Sequence, residues 1–194
     1  MKRTQARSVA VLALAGIFLT AAALAVQEKA KAVKENFSGN VILIADGPAT
    51  GGSGRLTMTV ERWTTDEERA VLLKALAEGG SEALLKALRK TKVGYVRTVQ
   101  SLGYPLNFAT SFETEKGRTI RLVTERPIQF AEVMAGTPRS RDYEFGVIEF
   151  TLNAEGKGEG VVIPTAKISL NKDGQIEVES LGTGPQKLVN VKKN

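Results

Sequence analysis

From residue 39 to the C-terminus the sequence is written mostly in two-residue periods. "RLTMTVERW" puts Leu56, Met58 and Val60 on one side and Thr57, Thr59 and Glu61 on the other. "LNFATSFET" (106–114) repeats the pattern with Leu106, Phe108, Thr110 and Phe112, and "RTIRLVTE" sets Ile120 and Leu122 against Thr119 and Arg121. Alternation of this kind, with many β-branched residues, describes strands that bury one face. Further runs are "GNVILIADG" (39–47), "KVGYVRTV", "YEFGVIEFTL" (143–152), "VVIPTAKISL", "QIEVES" and "KLVNV". Turn-forming stretches separate them, among them "GPATGGSG" (47–54), "EKG", "TPRSRD" and "NAEGKGEG", and Asp173-Gly174 between two alternating runs is a hairpin signal. About eight or nine short strands in local hairpin order predict an antiparallel up-and-down β-barrel or a two-sheet sandwich. A closed or nearly closed barrel is favoured, because strand glycines assist curvature and closure removes adhesive edges. In "YEFGVIEFTL" the apolar positions run 143, 145, 147 and then 148, 150, 152, a slip of phase that predicts a β-bulge beside Gly146.

One stretch breaks the period. "LLKALAEGGSEALLKAL" (72–88) contains LLKAL twice and reads as helix. Thr65 followed by Glu68 fits a capping box, and Asp66, Glu67 and Glu68 place negative charge in the first turn. Val71, Leu72, Ala75 and Leu76 fall on one face; Gly79-Gly80 is a stop, and Ser81 can cap a second helix. That second helix groups Leu84, Leu85 and Leu88 and leaves Lys86, Arg89 and Lys90 to solvent. A helical hairpin over about residues 65–91 is therefore inserted among the strands, as a plug that closes one end or side of the β-structure or as a lid.

The N-terminus has the form of a secretory signal peptide. Lys2, Arg3 and Arg7 precede an apolar run from Val9 to Ala25, which ends in "AAALA" with small residues at 23 and 25. Cleavage after Ala25 is expected, against the alternative of a retained anchor helix. Residues 26–37 form a charged lead-in and residues 38–194 one β-rich domain. The expected location is periplasmic or extracellular, with no stable transmembrane segment once the leader is removed. The leader carries three of the 27 basic residues and none of the 21 acidic ones, so the net charge falls from +6 to +3 without it. A small charge on a mixed surface gives no nucleic-acid footprint.

The chain has no cysteine and no histidine. That excludes disulfides, a Ser–His relay, a thiol nucleophile, imidazole zinc ligation and haem held by either residue. The glycine-rich "GGSGR" and "GKGEG" match neither phosphate-binding pattern, and no cofactor, metal site or catalytic residue is assigned. An enzyme would have to use carboxylates or tyrosine, and Glu113, Glu125, Glu144 and Glu149 show no spacing that singles out a pair. Arg139 and Arg141, flanking Asp142, form a candidate anion site. Arg97 and Arg121 lie inside strand patterns and would need partners if turned inward, and Trp63 is a packing anchor at the strand–helix junction.

"GRLTMTVERWTTDEER", "KVGYVR", "RSRDYEFGVIEF" and "GKGEG" resemble a family of exported bacterial proteins of unassigned function, over most of the chain beyond the leader. The resemblance implies export and carries no activity. By analogy with small barrels, the expected role is binding of a small apolar or amphipathic ligand or lipid, lined by Phe108, Phe112, Ile120, Leu122, Phe145 and Phe150. A non-catalytic cell-envelope interaction protein, its partner unspecified, is the alternative, and a carboxylate-based enzyme the third.

Overall fold

The structure is a computed structural model and describes residues 34–42, 52–99, 103–128, 143–181 and 184–194. The leader, most of the lead-in and the Arg139–Arg141 turn lie outside the described residues. The described residues form ten strands: β1 (Glu35–Ile42), β2 (Ser53–Val60), β3 (Gly94–Thr98), β4 (Tyr104–Leu106), β5 (Phe108–Thr114), β6 (Gly117–Thr124), β7 (Phe145–Leu152), β8 (Lys157–Leu170), β9 (Ile176–Ser180) and β10 (Gln186–Lys193). One helix, α1 (Asp66–Leu88), separates β2 from β3. The first strand starts ahead of Gly39, where the apolar run suggested it, because Glu35–Ser38 already pairs with β2.

All strand pairs are antiparallel, and the path runs β4-β3-β2-β1-β10-β8-β7-β6-β5, with β9 added on β8. The two strands at the ends of this path, β4 and β5, are consecutive in the chain with only Asn107 between them. The sheet thus curls into a nearly closed barrel whose last gap is bridged by the polypeptide itself. Asn107 is 2% exposed, and all its polar groups are engaged. Its Nδ2 donates to the carbonyls of Leu88 (3.1 Å) and Thr91 (2.8 Å), and its Oδ1 accepts from Glu125 N (3.0 Å). Its backbone N–H donates to Val123 O, and its carbonyl accepts from Thr91 Oγ1. The bend also reverses the side-chain phase. Leu106 and Ala109 face the barrel interior, whereas Phe108 packs outside, so the single alternating face expected across 106–112 is split.

The interior is filled by apolar side chains from every wall, with Phe37 and Phe150 in edge-to-face contact at 5.2 Å between centroids. Such pairs add to the burial of their area. A second apolar cluster lies on the outside of the wall, where Leu72, Leu76, Leu84, Leu85 and Leu88 of α1 cover Val123, Phe145, Val147, Ile163, Ala166, Ile168 and Val178. The insert is therefore a cover for one side of the barrel. This second core explains the apparent phase slip in β7. Even-numbered Ile148, Phe150 and Leu152 face inward while Phe145 and Val147 face outward beneath the helix, and pairing with β6 is continuous throughout. The register does shift near Gly146, but the extra residue belongs to β8, beside Pro164, whose missing N–H suits a bulge. Gly160 is required where β8 crosses β7, since a Cβ there would meet the Glu149 carbonyl and Phe150 Cα.

The helix begins with the expected capping box. Glu68 N donates to Thr65 Oγ1 (3.2 Å), and Glu68 Oε2 accepts from Thr65 N (3.0 Å). Glu68 also takes a two-pronged bond from Arg62 at 2.7 and 2.8 Å, which holds its carboxyl below the ordinary range although burial opposes it. At Gly80 (φ 64°, ψ −157°) the helix breaks in a region that glycine alone enters readily. The two arms fold back on each other, so Glu68, Val71 and Leu72 of the first share a groove with Ala87 of the second. Leu72 and Leu76 form the buried line; Val71, expected beside them, is 62% exposed. The Ser81 hydroxyl donates to the Ile168 carbonyl, pinning the second arm to β8.

Candidate functional site

The residues expected to line a ligand cavity divide among three places. Ile120, Leu122 and Phe150 belong to the filled interior, and Phe108 and Phe145 to the cluster beneath the helix. Phe112 is on the outer wall with the Arg121 guanidinium 5.1 Å from its ring centre. Arg121 pairs there with Glu149, and Arg97 is exposed beside the Tyr95 ring at 4.6 Å, so neither points inward. Of the other carboxylates considered, Glu125 lies 3.7 Å from Arg89 and Glu113 is exposed. No helix among the described residues is long and apolar enough to cross a membrane.

Two features lie where β1 begins and β10 ends. The first is a charged cluster turned into the barrel mouth. Glu35 is 7% exposed and accepts two hydrogen bonds from Arg118 (2.8 and 3.0 Å), with Lys193 Nζ at 3.0 Å. Arg118 also reaches Ser111 Oγ (3.2 Å), and its guanidinium lies 5.1 Å from the Trp63 ring centre. Burial opposes ionisation of Glu35, but the hydrogen bonds and charges of Arg118 and Lys193 outweigh it, and the carboxyl is held below its ordinary value. Sequence reading passed over this cluster, although a signal existed: Arg118 is in phase with Ile120 and Leu122, Glu35 with Phe37, and Lys193 with Val191.

The second feature is an open groove of about 630 Å³ on the outer wall across β7, β8 and β10. Thr151, Asn153, Gly158, Glu159, Val189 and Asn190 contribute to it, with Lys116, Lys157 and Lys192 around them. Its shape depends on a bulge in β10. Between Leu188 and Val191 the strand carries an extra residue relative to β8, and β1 registers the same shift. Asn190 sits in the bulge with φ 53°, a left-handed conformation that Asn tolerates better than most residues. A one-residue bulge exchanges the two faces of everything beyond it. Here it returns Val191 to the core and directs Lys192 outward, where it stands directly across from Lys157.

No family model, curated protein or solved structure matches the chain.

Proposed function

We propose that this chain is an exported, non-catalytic protein that binds a small amphipathic ligand in the groove over β7, β8 and β10. The observation that carries the reading is an open outer-wall groove with apolar surface and a rim of lysines, beside an interior already filled by side chains. Small-molecule sites combine apolar lining with a few placed polar groups. Val189 and the lysine stems supply apolar surface here, while ammonium and amide groups supply the polar part. Barrels of about eight strands have interiors just wide enough to be filled by side chains, and the interior here is filled by its own, so a rigid wall that presents an outer groove is a reasonable use of the fold. Export rests on the signal-like residues 1–25.

The test is native mass spectrometry of the protein recovered from a bacterial envelope fraction, before and after mild delipidation. An added mass that disappears on delipidation is expected, together with an N-terminus at Val26. Bare protein that also fails to take up any single-chain amphiphile on titration would refute the binding role. A retained N-terminus would refute cleavage of the leader.

A further inference from the structure

We infer that the groove selects an amphipathic anion, a single alkyl chain carrying a phosphate or carboxylate head, with the head held by Lys157, Lys192 and Lys116. This rests on the groove being the binding site and adds the charge of its ligand. Lys157 and Lys192 are direct register partners on adjacent antiparallel strands, and both point to the outer face. Directly opposed like charges destabilise a strand pair. The arrangement is produced by the bulge at Val189–Asn190, without which Lys192 would turn inward. Lys116, from the β5–β6 turn, faces the same groove. Among the described residues, Lys116 and Lys192 stand in no ion pair, and Lys157 has only the exposed Glu155 at 3.3 Å, a contact of little worth in water. Glu159 is the one acid in the lining. An anionic head between the two opposed ammonium groups removes their repulsion and gains a charge-assisted contact from each. Val189 and the lysine stems remain for the chain. Lys193, one residue on, takes no part because Glu35 holds it at the barrel mouth.

The experiment is calorimetric titration of the full chain at low salt with decyl phosphate, decanol and inorganic phosphate, below the micellisation point of the amphiphiles. Decyl phosphate is expected to bind about tenfold or more tightly than decanol, equivalent to about 1.4 kcal/mol. That advantage should shrink as salt is raised, since exposed charges are screened within about 10 Å at 0.1 M. It should vanish in a K157Q/K192Q variant, which is expected to bind decyl phosphate no more tightly than decanol. K192Q alone, with no ligand, should melt about a degree or two higher because the opposed charges are gone. Equal binding of decanol and decyl phosphate would overturn the charge selection and leave the groove as an amphiphile site. Inorganic phosphate binding as tightly as decyl phosphate would overturn the need for an alkyl chain. Failure of both amphiphiles to bind would overturn the groove reading itself.

Discussion

Replacing Glu35 by Gln tests whether the charged mouth holds the barrel shut. The carboxylate receives two hydrogen bonds from Arg118 and one contact from Lys193 at 2.8–3.0 Å, and it is 7% exposed. A hydrogen bond to a charged group is worth about 1.5–3 kcal/mol when its partner stays buried. Arg118 and Lys193 keep 26% and 46% of their side-chain surface in water, so both recover part of their solvation when Glu35 loses its charge. A net loss of about 2–3 kcal/mol at neutral pH is expected after that discount. For a domain of this size that corresponds to a drop of about 5–10 °C in Tm. The pH dependence has a definite sign. The folded-state carboxyl lies below its ordinary value of 4.5, so its contribution is fully present above that value and is lost as pH falls through the folded-state value. Thermal melts of both proteins should therefore differ at pH 7 and converge as the pH is lowered from 4.5 through the depressed folded-state value. Equal stability at pH 7 would show that the cluster contributes nothing net. A gap that stays constant down to acid pH would show that the effect comes from packing and not from charge.

Three other substitutions probe the frame. Asn107→Ala removes the amide that answers Leu88, Thr91 and Glu125 at the closure point, and should cost about 3–5 kcal/mol in urea unfolding; a loss below 1 kcal/mol would deny Asn107 a part in closure. Gly80→Ala adds a Cβ into empty space, so its expected cost of about 1–3 kcal/mol is backbone strain alone; unchanged stability would mean that the break does not need its left-handed glycine. Thr65→Ala should lose about 1 kcal/mol by removing the hydroxyl that accepts from Glu68 N, measured by the same unfolding curves.

Much of the frame was legible because its causes are local. The Thr65–Glu68 cap, the break at Gly79-Gly80 and the grouping of Leu84, Leu85 and Leu88 each depend on residues within a few positions of one another. The Asn171–Gln175 turn likewise closes on its own atoms, with Asn171 Oδ1 accepting from Asp173 N and Gln175 N. Sequence misplaced faces where two walls were buried. The outward Phe145 and Val147 looked like a slipped strand because nothing local shows that a helix will cover them. Alternation alone sets Phe108 on the face of Leu106, and the bend at Asn107 that parts them is imposed by distant partners, Leu88 and Glu125.

Antiparallel strands interrupted by one helical hairpin, without disulfides and without histidine or thiol chemistry, follow from the order of the residues alone. Periodicity, caps and composition contain that information, since each is a property of neighbouring residues. The placing of β10 between β1 and β8, the meeting of Glu35 with Arg118 and Lys193 at the mouth, and the opposition of Lys157 and Lys192 arise only on folding. These pairings depend on register across strands far apart in the chain. A single extra residue in β10 reverses which side chains meet, and an alternating pattern does not reveal a bulge until its partner strand is known.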